Sequence, residues 1–309
     1  MSAATDATFA HPALFYRGDG EYLAGTVPFI TDGLAAGDPV AVAVPGAHVS
    51  LLRAELGRAA DHVHLVDMTV VGRNPGRIIP GVLREFADRH PDRHVRIIGE
   101  PIWPHRTVEE YPACLRHEAL INHSFTGRAV TVLCPYDSDG LDRRVLADAA
   151  RTHPLLVDQH GTYSSGRYAP DAVLVDCNQP LPVPSGADRF VVTAADLPGL
   201  RRVVAAFGQR QGLSPHRADD LLLVLTELAT NSIEHAGSPA TVLLGRVADR
   251  VVCQVRDTGY ISDPLAGRRP ASRDQRRGRG LLLVNHLSDL VRGYTSPGET
   301  VTEVRFAIE

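Results

Sequence analysis

A carboxylate and an amide are spaced to share one side of a helix near the middle of the second half of the chain. Glu227 and Asn231 are four residues apart, so on a helix they project together. Apolar residues recur at helical spacing on another face of the same run, and these are Leu222, Leu225, Leu228, Ala229 and Ile233. We therefore expect a helix over 219–235 with a buried stripe and one polar wall. A carboxylate on such a wall can take a proton from a nearby hydroxyl.

A second polar residue closes a strand that follows this helix. Asp257 comes directly after the expected strand 251–256, and Gly259 lies two residues further on. A buried carboxylate here can accept the exocyclic amine of adenine, whereas guanine presents an oxygen and would leave the acceptor unpaired. Gly259 allows the backbone to approach a flat ring closely. This pattern favours adenine over guanine.

Two further glycines precede an apolar helix expected over 281–290. Gly278, Arg279, Gly280 and Leu281 would place free backbone N–H groups and the helix dipole against an anion such as phosphate. Between Asp257 and Gly278 lies an arginine-rich lid, whose cations include Arg268, Arg269, Arg273, Arg276 and Arg277. Triphosphate is the obvious counter-charge for these arginines, and a solvated loop is the other interpretation.

In this order, the three blocks resemble the nucleotide site of the GHKL (Bergerat-fold) ATPases and kinases, over about the last 120 residues. The stretch TELATNSIEHAG and the short lid are closer to the anti-sigma-factor serine kinases. The resemblance implies ATP as cofactor, with Asn231 holding Mg²⁺ and Glu227 acting as base or positioning the attacking group. His235 would assist with the phosphates, or else serve as a helix C-cap residue before Gly237. The sequence departs from many relatives after Gly259, where a second glycine is replaced, so binding is expected more firmly than turnover.

The first half of the chain alternates strand-like and helical segments. Strand-like runs at 40–44, 63–66, 95–98 and 129–133 are separated by helical stretches near 21–36, 48–59, 78–89, 107–122 and 142–151. This alternation predicts an α/β fold with a mostly parallel sheet covered by helices on both faces. The Pro-rich passage QPLPVPSG then predicts a stiff linker at 171–187, followed by an α/β sandwich over 188–309.

Several motifs of the first half resemble the MEDS sensory domain of the DcmR type, a degenerate relative of the RecA/KaiC ATPases, over residues 9–170. They are HPALFY at 11–16, GRNPGR at 72–77, GEPIW at 99–103, RHEALIN at 116–122, LCPYD at 133–137 and RTHP at 151–154. The family is expected to bind small ligands. A Walker P-loop needs lysine, and this chain contains none, since all 32 basic residues are arginine. We therefore expect a sensor without ATPase activity of its own.

Ligands of open parallel sheets bind beyond the carboxyl ends of the strands. The candidate sensory pocket collects the polar and aromatic residues near those ends: His48, Asp67, Glu100, Trp103, His117, Cys134, Tyr136 and Asp137. The structural alternative is that the aromatic residues are core-edge side chains and that Cys134 is a small buried hydrophobe.

Two other interpretations of the histidines carry less weight. A metal or haem site from His11, His48, His117, His153, Cys134 and Glu118 matches no recognised ligand spacing, so hydrogen-bonded helix ends and turns are the favoured interpretation. The run HEALIN at 117–122 mimics the phosphoacceptor box of histidine kinases. It is followed by a strand rather than by a helical hairpin, and we interpret the match as coincidence.

Composition limits the remaining function classes. The 309 residues carry a net charge of −4, which does not indicate a nucleic-acid partner. Four scattered cysteines without a CxxC pair, no signal segment and no long apolar run are typical of a cytoplasmic protein that neither enters nor spans a membrane.

The overall prediction is a sensor controlling an ATP-dependent protein serine/threonine kinase. By resemblance its partners are an anti-anti-sigma (STAS-type) protein, a sigma factor, or both, together with an unidentified small-molecule ligand on the first domain. A homodimer is left open. The rival predictions are an unorthodox histidine kinase and a non-catalytic ATP-binding module.

Overall fold

The chain folds into two compact units, Met1–Cys177 and Asn178–Glu309. The structure is a computed structural model that describes residues 9–271 and 278–308. Across those two ranges, no helix combines the length and the apolar character needed to cross a bilayer.

The first unit is built on a seven-stranded sheet. Its strands are β1 Pro12–Tyr16, β2 Val40–Val44, β3 His64–Asp67, β4 Val95–Gly99, β5 Val130–Asp137, β6 Leu155–Asp158 and β7 Gly161–Ser164. They lie in the order β3-β2-β4-β5-β1-β6-β7, and only the pair β6–β7 is antiparallel. The expected mostly parallel sheet is confirmed. Strands β1, β6 and β7 add to the four predicted strands.

Helices cover both faces of this sheet. They are α1 Gly18–Ala36, α2 Gly46–Leu56, α3 Met68–Val71, α4 Arg84–Asp88, α5 Tyr111–Ser124, α6 Arg143–Thr152 and α7 Pro170–Cys177. Leu133 of β5 packs in the core under α1 and α2. Its neighbour Cys134 points to the opposite face, as alternation along a strand requires. The helix predicted at 78–89 instead begins with a π turn, Ile79–Leu83, where Pro80 cannot donate a backbone N–H.

The second unit is an antiparallel sheet covered by helices. Its strands are β8 Asp188–Val192, β9 Ala240–Val247, β10 Arg250–Asp257, β11 Leu290–Ser296 and β12 Glu299–Ala307, in the order β11-β12-β10-β9-β8. Its helices are α8 Leu197–Arg210, α9 Pro215–Asn231 and α10 Gly280–Leu287. The predicted α/β sandwich is confirmed. The last helix ends at Leu287 rather than Leu290, because Leu290 begins a strand.

One face of the second sheet carries the core, and the other is covered by the Pro-rich segment. Alternate residues of β10, such as Val251 and Val255, are buried in the core that includes α8 and α9. Gln254 and Arg256 point the other way and donate to the carbonyl oxygens of Pro182 and Leu181, each across 2.7 Å.

The stiff linker predicted at 171–187 is therefore divided between two structures. Its first part belongs to α7, which packs against α5 through Val173. Its second part is held on the C-terminal sheet, where Asn178 exchanges two hydrogen bonds with the backbone of Thr295, over 2.8 and 3.0 Å. Proline content indicated stiffness, but it could not show which side chains would bind the exposed carbonyl groups.

Candidate functional site

Helix α9 brings Glu227 and Asn231 to the first residue of α10. A Cβ atom added to Gly280 would lie 2.7 Å from Glu227 Oε2 and 3.1 Å from Asn231 Nδ2. Both side chains are only half-buried. Glycine lets the backbone come this close without displacing either side chain, and we call the meeting point of the carboxylate, the amide and the helix start the cradle.

Asp257 closes β10, and its carboxylate is held from two directions. The hydroxyl of Ser232 donates to Oδ2 across 2.5 Å, and the backbone N–H of Gly259 donates to Oδ1 across 2.7 Å. A carboxylate has about four lone-pair positions, so these two bonds leave room for a further donor. The arrangement fixes the orientation of an acceptor at the strand end where the sequence predicts adenine.

The loop after Asp257 is anchored by two threonines that the sequence analysis missed. Thr300 Oγ1 donates to the carbonyl oxygen of Gly259 across 3.0 Å, and Thr295 Oγ1 accepts the N–H of Ile261 across 3.0 Å. The two hydroxyls are 2.9 Å apart. They come from β11 and β12, some forty residues away in sequence, and no local pattern signals them.

The start of α10 lies beside the lid. Gly278 has φ +83°, a left-handed conformation that suits glycine, and Arg279 is the exposed residue before the helix. Asn285 of α10 donates to the carbonyl oxygen of Gly267 across 3.1 Å, and a Cβ added at Gly267 would lie 2.5 Å from Leu281 Cβ. This part of the lid therefore packs on α10.

The arginines of the lid have different surroundings. Arg269 forms an ion pair with Asp263 instead of pointing freely at a ligand, and Arg268 is buried. Arg277, with Arg273 and Arg276, lies outside the described residues.

His235 is exposed in a π turn, Ser232–Ala236, that continues α9. The turn ends at Gly237, whose φ is +63°. The sequence left two roles open for His235, and this position at the end of the helix is the one the capping interpretation requires. Its exposed ring is also accessible to a ligand.

In the first unit, two of the predicted pocket residues meet beyond the carboxyl ends of the strands. His48 Nδ1 lies 2.7 Å from Glu100 Oε2, and the hydroxyl of Tyr16 donates to Glu100 Oε1 across 3.2 Å. The His48 ring stacks on Tyr22, with ring centroids 4.1 Å apart. Burial raises the pKa of Glu100. Burial lowers the pKa of His48, but the hydrogen bond and charge of Glu100 outweigh it, so the net shift is upward.

Three other predicted pocket residues are engaged in local structure. Asp67 caps α3 by accepting the backbone N–H and the hydroxyl of Thr69. Asp137 accepts the N–H groups of residues 139 and 140 in the turn after β5. Trp103 is covered by the Arg106 guanidinium, which lies 3.8 Å from its ring centroid.

The remaining three residues are on the opposite face of the sheet, which corrects the single predicted pocket. Cys134 is 1 % exposed and contacts His11, while Tyr136 sets its ring edge against His153 with centroids 5.5 Å apart. His117 is buried on α5. Adjacent strand residues point to opposite faces, so nearness to a strand end alone could not place these side chains with His48.

Comparison with protein families identifies both domains. Residues 10–154 match the family model described as MEDS: MEthanogen/methylotroph, DcmR Sensory domain. Residues 190–308 match the model of the histidine kinase-like ATPase domain. The chain is a MEDS domain followed by a histidine kinase-like ATPase domain. The ATPase domain implies ATP binding. A sensory domain followed by such an ATPase domain is the organisation of a signalling regulator.

Individual relatives add little to this assignment. No curated protein matches the chain. Among solved structures, the chain is similar to Acinetobacter baumannii histidine kinase AdeS, with 10 % sequence identity and a TM-score of 0.25. That match covers 63 % of this chain and 92 % of the other, and a score so low carries no argument.

Proposed function

We propose that this chain is a sensor kinase in which the MEDS domain controls phosphoryl transfer from ATP to a serine of an anti-sigma antagonist of the STAS type. One observation carries the proposal. Glu227, Asn231 and the bare backbone of Gly280 meet in the cradle, and a carboxylate suited to adenine lies at the end of strand β10. The resemblance of TELATNSIEHAG to the anti-sigma-factor kinases supports the choice of serine as acceptor.

The residues present fit Mg²⁺-ATP. Asp257 accepts the adenine amine, and the glycines at 278 and 280 let phosphate reach the first N–H groups of α10. Mg²⁺ prefers oxygen ligands and keeps several of its waters, so a single amide oxygen from Asn231 is a sufficient protein ligand beside the phosphates.

Phosphoryl transfer requires a proton acceptor for the attacking hydroxyl. Glu227 takes the serine proton while the serine oxygen forms its bond to the γ-phosphorus, and ADP leaves with the electrons of the broken bond to the γ-phosphorus. The half-buried position of Glu227 leaves its carboxylate accessible from the cradle. Mg²⁺ supplies charge neutralisation for the phosphate oxygens when it is bound.

Two rival functions remain testable. Transfer to a histidine of this chain is disfavoured at His117, which is only 1 % exposed and lies on α5. A module that binds ATP without transfer is favoured by Tyr260 and Ile261, which stand where many relatives carry a second glycine of the lid hinge. Sequestration of a sigma factor would be the output of such a module.

The regulatory ligand belongs to the MEDS domain. His48, Glu100 and Tyr16 form a small polar cluster against apolar and aromatic surroundings, which suits a small molecule that exchanges hydrogen bonds with a carboxyl and an imidazole. Such a ligand alters output only if it prefers one state of the protein over another, typically by about 1–3 kcal/mol.

Incubation of the full chain with γ-labelled ATP, Mg²⁺ and a co-encoded STAS-type protein tests the proposal. We expect acid-stable label on the partner, lost when the partner's serine is replaced by alanine. Glu227→Gln should keep ATP binding and reduce transfer about 10²- to 10⁴-fold, whereas Glu234→Gln, on the exposed following turn, should leave it unchanged. Acid-labile label on this chain would establish the histidine kinase, and ATP binding without any transfer would establish the module.

A further inference from the structure

Four side chains from separate parts of the MEDS domain converge inside its core. His11 precedes β1, Glu118 lies on α5, Cys134 lies on β5 and His153 ends α6. Each is at most 1 % exposed. One potential ligand atom from each of them lies within 4.8 Å of every other. The cluster belongs to neither site described above.

The side chains of the cluster converge on one point and are not arranged as a chain of hydrogen bonds. Nε2 of His11 is 3.4 Å from Glu118 Oε2 and also 3.4 Å from Cys134 Sγ. Nε2 of His153 is 3.3 Å from the same Glu118 oxygen. In a catalytic triad the nucleophile and the carboxylate bind opposite nitrogens of the histidine. Here they face the same nitrogen, so nucleophilic catalysis is not what this geometry serves.

Hydrogen bonds outside the cluster fix the tautomer of both rings. The Nδ2 group of Asn122 donates to three backbone carbonyls, among them Thr152 across 2.8 Å, so its Oδ1 is the acceptor that faces His11 Nδ1 at 3.2 Å. Nδ1 of His153 lies 2.9 Å from the carbonyl oxygen of Ala149. Both Nδ1 atoms therefore carry hydrogen, and both Nε2 atoms turn a lone pair towards Glu118.

This arrangement favours a cation. Within residues 9–271 and 278–308, neither carboxylate oxygen of Glu118 has a donor in hydrogen-bonding geometry. Two nitrogen lone pairs facing a buried carboxylate repel one another unless positive charge lies between them. The thiol proton of Cys134 can serve His11 Nε2, but among the described residues His153 Nε2 has no hydrogen-bond partner, whereas a metal ion accepts all the lone pairs at once.

We propose that His11, Glu118, Cys134 and His153 form a closed binding site for one divalent transition-metal ion of the zinc class. Tetrahedral zinc holds nitrogen and oxygen ligands at about 2.0–2.1 Å, which places neighbouring ligand atoms about 3.3 Å apart. The two His–Glu distances are close to this spacing. The donor set of two imidazoles, a thiolate and a carboxylate suits zinc and excludes Mg²⁺. Asn122 and the carbonyl of Ala149 act as the outer hydrogen-bond acceptors that orient ligating imidazoles.

The consequence for the domain is a cross-link between its central strands and two helices. Phe9 stacks on the His11 ring with centroids 6.0 Å apart, and the Tyr136 ring edge covers His153. This apolar surround keeps water from the ion. With all four positions taken by protein, the site is built to hold its metal and not to activate water.

Metal analysis of the full-length chain, without nucleotide, tests the site. After equilibration with Zn²⁺ and removal of free metal, we expect one equivalent per chain in the wild type and in Cys114→Ser, a buried thiol on α5 outside the cluster. Cys134→Ser should bind at least about 10-fold more weakly. With Co²⁺ as probe, the wild type and Cys114→Ser should show thiolate-to-cobalt charge-transfer absorption, and Cys134→Ser should not.

A second measurement needs no variant, in case Cys134→Ser fails to fold. Removal of metal from the wild type by a chelator should lower the midpoint of thermal unfolding, and Zn²⁺ but not Mg²⁺ should restore it. Failure of the wild type to retain zinc, an unchanged cobalt spectrum in Cys134→Ser, or a midpoint indifferent to chelator and zinc would each overturn the proposal.

Discussion

Ser232 and Asp257 are joined by a 2.5 Å hydrogen bond from the serine hydroxyl to Oδ2. The bond connects the π turn after α9 to the end of β10, and it orients the carboxylate assigned to adenine. Ser232→Ala should therefore weaken ATP binding by about 1 kcal/mol, or roughly fivefold in Kd, without unfolding the domain. Ser238→Ala is the matched control, because the Ser238 hydroxyl accepts a hydrogen bond from the Thr258 hydroxyl instead of donating to Asp257. If calorimetry shows equal losses of ATP affinity in both variants, Ser232 has no specific role in ATP binding.

Gly280 sets how closely the start of α10 can approach the side chains of Glu227 and Asn231. Alanine there would bring a Cβ atom to 2.7 Å from the Glu227 carboxylate and 3.1 Å from the Asn231 amide. We expect Gly280→Ala to reduce ATP affinity at least about 10-fold while leaving the helix content unchanged, since alanine is a better helix former than glycine.

Gly199→Ala provides the comparison for that variant. Gly199 also lies in the first turn of a helix, and no atom of the described residues lies within 4 Å of its added Cβ. This variant should bind ATP like the wild type. If Gly280→Ala binds ATP equally well, the close approach has no bearing on the nucleotide.

The acid stability of the MEDS domain should depend on Asp38. Its Oδ2 accepts from Arg96 Nε across 2.9 Å and lies 3.0 Å from His94 Nδ1. Partial burial raises the pKa of Asp38. The hydrogen bonds from His94 and Arg96 lower this pKa by a larger amount, so the net shift is downward. The stabilisation is therefore present above the unfolded pKa of about 3.9 and is lost as the pH falls through the lower folded value.

Asp38→Asn should accordingly cost about 1 kcal/mol of unfolding free energy near neutral pH, and its deficit should shrink at about pH 3. Denaturant titrations of both proteins at the two pH values provide the measurement. Asp61→Asn changes an exposed carboxylate and should show no such convergence. A deficit that stays constant with pH would contradict the assigned role.

The segment 178–187 should stabilise the ATPase domain. Leu181 is buried, and its carbonyl together with that of Pro182 accepts bonds from Arg256 and Gln254. A fragment 178–309 should be more stable than 188–309 by about 2–5 kcal/mol, from these hydrogen bonds and one buried leucine. Identical denaturation midpoints for the two fragments would show that the segment is a linker that does not stabilise the domain.

Sequence reasoning was most successful where the pattern is local. The i,i+4 pair Glu227 and Asn231, the strand-ending Asp257 and the alternation of strands and helices depend on spacing within one element. The four residues around Glu118 were considered as part of a metal site and set aside, because they lie 16 to 142 residues apart and no ligand spacing connects them. The strand register brings Cys134 close to His11, because Cys134 pairs with Ala13 on the neighbouring strand and Ala13 is two residues beyond His11.

Calorimetric titration of the full chain with Mg²⁺-ATP and Mg²⁺-GTP tests whether the ATPase domain holds an adenine-selective site. We expect one ATP site per chain and GTP affinity at least about 10-fold weaker, because guanine presents an oxygen to the Asp257 carboxylate. Asp257→Asn should reduce ATP affinity and narrow the difference between the two nucleotides. Equal binding of ATP and GTP by the wild type would contradict the assignment of Asp257 to adenine, and no binding of ATP by the folded chain would contradict the ATP site itself.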